Sequence, residues 1–118
     1  MPDPMHLDRC AVVRVPFPFT DRDATRNRPA LVLSDGPTFN VPAGHAVLAM
    51  ITSAAQHPWP LDHDIADLGA AGLRVPSKVR FKLFTLDQRL VREVLGMLAE
   101  QDRLAVGEAL RRLLGRGA

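Results

Sequence analysis

The sequence holds one cysteine, Cys10, one tryptophan and no tyrosine among its 118 residues. A single thiol excludes an intramolecular disulfide framework and a cysteine-based zinc site, and it points to the cytoplasm, where thiols stay reduced. Long apolar runs are equally scarce, and no window approaches the roughly 18 to 20 residues of a membrane span. The opening MPDPMHLDRC lacks the basic and apolar regions of a secretory signal, so neither secretion nor membrane insertion is expected. Strong net charge is missing too: 15 Lys plus Arg against 13 Asp plus Glu leave +2, which by itself implies no nucleic-acid partner.

What is present is the composition of one soluble globular domain spanning residues 1–118, with 47% hydrophobic and 24% charged residues. At this length about two thirds of the unfolded surface can be buried, so stability requires neither a metal nor a disulfide. The charge is unevenly spread. Arg74, Lys78, Arg80, Lys82, Arg89 and Arg92 face Asp87 alone between positions 74 and 92, a local excess of five. Of the 15 basic residues 13 are arginine, which grips phosphate through two parallel hydrogen bonds and stacks on bases.

All ten prolines lie between Pro2 and Pro76, so the last third is free to hold a long regular element. Ala11 to Val15, Pro29 to Ser34 and Ala46 to Ile51 are short apolar runs bounded by Pro, Gly, Asn and Asp, the pattern of buried strands. The stretches between them, Pro16 to Arg28 and Asp35 to His45, read as surface loops. Lys78 to Leu83 alternates basic and apolar residues, predicting a strand with one wet, basic face. From Glu100 to Leu114 the positions Val106, Leu110, Leu113 and Leu114 form a helical stripe, closed by Gly115 after Arg111 and Arg112. Leu90 to Leu98 fits either period, and Gly96 weakens a helix there by about 1 kcal/mol relative to Ala. The expected fold is mostly β with a C-terminal helix, a small barrel or half-barrel with one helix packed on it.

The ordered segments AVVRVPFPFTD, RNRPALVLS, AVLAMITS and GLRVPSKVRFKLFTLD resemble the MazF/PemK family of toxin endoribonucleases from about Arg9 to Leu114. The most specific pieces are Arg28-Pro29, opening the second strand, and Ile51-Thr52-Ser53, closing the third. The resemblance implies an SH3-like barrel of the CcdB/PemK-like toxin fold and a homodimer. It also implies metal-independent, cofactor-free cleavage of single-stranded RNA at short preferred sequences, and a small antitoxin protein as partner. A gyrase-poisoning toxin of the same fold is the rival, but those relatives depend on an aromatic and apolar tail where this chain ends Gly115-Arg116-Gly117-Ala118. An RNA-binding barrel without catalysis is the other.

By the same resemblance Arg28 and Thr52 are the candidate catalytic residues. In RNA the nucleophile is the substrate's own 2′-hydroxyl, tethered beside the phosphorus, so the enzyme need only supply charge control and proton transfer. Arg28 would clamp the negative charge of the phosphorane, held by the rigid φ of Pro29, and Thr52 would hydrogen-bond the scissile phosphate. Phe17, Thr20, Ser53, Ser77, Arg80 and Lys82 are the candidate RNA contacts, Phe17 and Phe19 as stacking platforms. Read without the resemblance, Arg28 is a solvated strand-end arginine paired with Asp21 or Asp23, and Thr52-Ser53 is a turn or helix cap. His57, Asp62, His63 and Asp64 are metal-ligating types, but their spacing favours a solvated loop. Two departures from the family pattern stand out: Cys10-Ala11 where relatives have Gly and an acidic residue, and Lys82 in a strand where relatives often carry an acidic group.

Overall fold

The three apolar runs have no polar alternation because their strands are buried on both faces. The computed structural model describes residues 7–17, 26–115 and 117. Its strands are β1 (Ala11–Phe17), β2 (Arg26–Val32), β3 (His45–Ser53), β4 (His63–Asp64), β5 (Ser77–Asp87) and β6 (Glu93–Met97). They form one antiparallel sheet in the order β4-β5-β3-β2-β1-β6. One face carries Val12, Leu31, Ala49, Ile51, Val79 and Phe81. The other carries Val13, Val15, Ala30, Val32 and Leu48. Apolar burial on two sides is what makes a strand read as a continuous hydrophobic run.

Helical segments fill the connections. A π-turn at Gly36–Asn40 leads into α1 (Val41–Ala43), α2 (Leu68–Ala71) precedes β5, a 3-10 turn occupies Gln88–Leu90, and α3 (Glu100–Leu114) ends the fold. The 35–45 stretch expected as loop is therefore partly helical, and buried Asn40 ties it down by donating to the carbonyls of Leu7 and Ser34.

The sheet must curl. Strand β4 lies at one edge and α2 follows it after three residues, a reach of about 14 Å at most. Yet α2 packs on β6 at the opposite edge, which in a flat six-stranded sheet would be roughly 24 Å away. Two glycines permit this closure. A Cβ on Gly96 would sit 2.4 Å from the Ala70 carbonyl oxygen, and one on Gly72, at φ +74°, 2.1 Å from that of Leu95. Gly96 thus serves close packing inside a strand, which resolves Leu90 to Leu98 as β6 rather than helix. The result is the expected half-barrel with a C-terminal helix.

Helix α3 spans the predicted residues, but its buried positions are Asp102, Val106 and Ala109, with Leu110 half-buried. Leu113 and Leu114, expected to face the core, are exposed, as is Leu104. The stripe outruns the sheet beneath it. Cys10, where the family pattern has Gly, adopts φ +74°, a left-handed conformation that costs a non-glycine residue about 1–2 kcal/mol. Among the described residues no helix is long and apolar enough to cross a membrane.

Candidate functional site

Antiparallel register decides which candidate residues meet. Val15 pairs with Arg28 across β1 and β2, and Ala30 pairs with Met50 across β2 and β3. Continued by two residues, that second register sets Arg28 opposite Thr52, which in turn pairs with Lys78 on β5. Directly opposed residues share a face. Arg28, Thr52, Lys78 and, two residues on, Arg80 therefore lie on one face at one end of the sheet. Ser53 and Ser77 oppose each other one step away, on the reverse face. There Ser77 is buried and donates to the Val75 carbonyl, while the Ser53 oxygen accepts from the Ala55 N–H. Thr20, with Phe19, Asp21 and Asp23, lies outside the described residues.

Arg28 is half-buried, and its guanidinium carbon stands 4.8 Å from the centre of the Phe17 ring. Its Nε is buried with no hydrogen-bond partner. Buried donors in this state are few in folded proteins and mark strain or function. Arg14 Nε shares the condition on the reverse face, but that guanidinium has an anion, Glu93. Among the described residues no carboxylate pairs with Arg28. The structure thus seats Phe17 beneath the arginine, where a cation–π contact holds the guanidinium in place.

The basic strand is wet only in part: Lys82 is exposed, but Lys78 and Arg80 are drawn inward. Lys78 is buried and its Nζ lies 3.1 Å from Asp62 Oδ2, while donating to the Gln56 carbonyl at 2.7 Å. Arg80 donates from Nε and Nη2 to the two oxygens of Asp62, at 3.3 and 3.0 Å, and from Nη2 to the His57 carbonyl. Burial pushes the Asp62 carboxyl upward, but hydrogen bonds from Arg80, Lys78 and the Trp59 N–H outweigh it and hold the group below the usual carboxylate range. With Arg89 paired to Asp87, three of the six basic residues have an anionic partner, though Asp62 lowers the local excess only from five to four. The cause of the altered alternation is a bulge. Ala49 pairs with Leu83 but Met50 with Arg80, so Phe81 and Lys82 are extra residues on β5. Phe81 turns into the core, and Lys82 sets its ammonium 4.4 Å from the centre of the Trp59 ring.

The segment HPWPLDHD is exposed at His57 to Pro60 and at Asp64, as expected of a solvated loop, yet Asp62 and His63 tie it into the fold. Asp62 organises Lys78 and Arg80, and His63 Nε2 lies 2.7 Å from Asp102 on α3. Neither pairing is visible locally, because each joins residues 16 to 39 positions apart. Trp59 was the readable signal: a lone tryptophan between two prolines.

A curled antiparallel sheet closed by a terminal helix, with an arginine that no carboxylate pairs among the described residues and a threonine on the same face, defines the class as a small half-barrel. The chain belongs to the PemK-like, MazF-like toxins of type II toxin–antitoxin systems, whose family model matches residues 8–114. It is similar to the crystal structure of MazF from Deinococcus radiodurans, at 29% identity over 92% of this chain and 96% of that one, with a TM-score of 0.69. The MazE–MazF structure from the same organism matches at 28% identity, 92% and 95% coverage, and TM-score 0.70. An endoribonuclease from Mycobacterial species, in complex with its cognate antitoxin, shares the fold at 17% identity, 95% and 98% coverage, and TM-score 0.73. Comparison with the curated proteins finds no match.

Proposed function

We propose that this toxin is a metal-independent endoribonuclease that cleaves single-stranded RNA, with Arg28 and Thr52 at the reacting phosphate. The observation that carries the reading is Arg28 itself, a guanidinium seated on Phe17 with a buried, unpartnered Nε and, among the described residues, no carboxylate. The 2′-hydroxyl oxygen bonds to phosphorus and the bond to the 5′-oxygen breaks, leaving a cyclic phosphate and a 5′-hydroxyl. The proton lost from the 2′-oxygen is matched by one gained at the 5′-oxygen. Arg28 stabilises the added negative charge, and Thr52, whose hydroxyl is otherwise unbonded among the described residues, donates to a phosphate oxygen. Incubation of the purified protein with a long RNA in EDTA, with mapping of cut ends, tests this. Discrete cuts ending in cyclic phosphate are expected; an intact RNA refutes the reading.

The same reading includes a homodimer and an antitoxin partner. A two-fold dimer sets two Arg28 sites in one assembly. Its contact surface is assigned to Val94 and Met97, apolar residues of edge strand β6 that are exposed and, opposite Val13 and Ala11, share one face. Replacing Val94 and Met97 together with Glu is expected to convert a dimer to a monomer in sedimentation at micromolar concentration. A wild-type protein that is monomeric and fully active there would remove the dimer from the mechanism. The 28%-identical MazF crystallised with MazE supports a small protein partner.

A further inference from the structure

We infer that Trp59 is a stacking platform for an RNA base, with Lys82 beside it to hold the adjoining phosphate; the inference deepens the nuclease reading and rests on it. Trp59 is 41% exposed although it is the largest aromatic side chain of the protein. It sits on a rigid support. Pro58 and Pro60 flank it, its N–H donates to Asp62 Oδ2 at 3.0 Å, and its carbonyl accepts from the Asp62 N–H at 3.0 Å. The turn is thus closed in both directions by one residue, which Lys78 and Arg80 fix to β5.

Two cations lie over the indole ring, Lys82 Nζ at 4.4 Å and the Arg80 guanidinium carbon at 5.9 Å from its centre, which leaves stacking to the ring surface they do not cover. They differ in how they are held. Arg80 commits Nε and Nη2 to Asp62 and the His57 carbonyl, whereas among the described residues the Lys82 ammonium has only the ring. A preformed aromatic surface next to a free cation matches the repeating unit of a single strand, a flat base followed by a phosphate. The platform also belongs to the face already described, since Arg80 pairs with Met50 and Lys78 with Thr52. Stacking tolerates every base, so Trp59 contributes affinity and holds the strand in place without choosing the letter.

Trp59 is the only tryptophan, so its emission reports on the site directly. Titrating the wild-type protein with a 2′-O-methyl oligoribonucleotide, which lacks the attacking hydroxyl, is expected to quench that emission. Trp59→Ala should raise KM for cleavable RNA roughly tenfold or more, with kcat and the pattern of cut sites unchanged. Trp59→Phe should recover most of the loss, and Lys82→Ala should weaken binding with a shallower salt dependence. Unchanged emission on saturation, together with an unchanged KM in Trp59→Ala, would overturn the inference while leaving the nuclease intact. A wild-type protein that neither cuts nor binds RNA would overturn both.

Discussion

Replacing Arg28 with alanine is expected to lower single-turnover cleavage of single-stranded RNA by at least about a hundredfold while leaving the melting temperature nearly unchanged. The magnitude follows from what the guanidinium does: removing one preorganised donor from a developing oxyanion costs roughly 10²- to 10³-fold in other enzymes. The stability expectation follows from where it sits. Arg28 is half-buried, has no ion pair among the described residues and leaves its Nε unsatisfied, so little native-state interaction is lost with it beyond the Phe17 contact. Arg28→Lys keeps a charge but not the planar fork, and should fall between wild type and alanine. Thr52→Ala, which removes one neutral hydrogen bond from the same phosphate, should cost less than Arg28→Ala. Full cleavage by Arg28→Ala at an unaltered melting temperature would remove this arginine from the site.

How far the molecule can be read without coordinates depends on the range of the forces involved. The strand centres and α3 were legible because continuous burial and helical period are written within a few residues. Strand β6 was not, because Gly96 answers to Ala70 across the closed half-barrel rather than to its neighbours in sequence. The alternation at Lys78 to Leu83 misled for a similar reason: Asp62, 16 residues upstream of Lys78, draws Lys78 and Arg80 inward, and the bulge at Phe81 and Lys82 breaks the period. Arg28 and Thr52 were legible as residue types in familiar order. Their shared face was not, since it follows from the β2–β3 register, which a one-residue slip would have reversed.

The largest stability effect should come from Asp102, which sits fully buried in the first turn of α3. Its Oδ1 accepts from His63 Nε2 at 2.7 Å and from the Ala66 N–H at 2.8 Å, and its Oδ2 accepts from the Asp67 N–H at 3.0 Å. One carboxylate thereby pins the terminal helix to the chain between β4 and α2, the segment that closes the sheet. Asp102→Ala empties a fully buried carboxylate position and takes the shared acceptor from two backbone donors and a half-buried histidine. Breaking such a buried arrangement costs about 3–5 kcal/mol, a large part of the roughly 5–15 kcal/mol that holds a domain together. The melting temperature should fall by about 10–20 °C. Acid should reveal the same group. Burial pushes the Asp102 carboxyl upward, but the bonds from Ala66, Asp67 and His63 outweigh it and hold it below its ordinary value. A depressed folded pKa contributes stability that is present above the unfolded value of about 3.9 and is lost as pH falls through the folded one. Wild-type stability should therefore drop steeply below about pH 4. Asp102→Asn, which cannot ionise, should show a shallower acid slope, with Asp62 and Asp87, the latter at about 2, carrying what remains. Denaturant midpoints at neutral pH and at about pH 3 measure both effects. An alanine variant as stable as wild type at neutral pH, or an asparagine variant with an undiminished acid slope, would show that α3 is held by its apolar stripe alone.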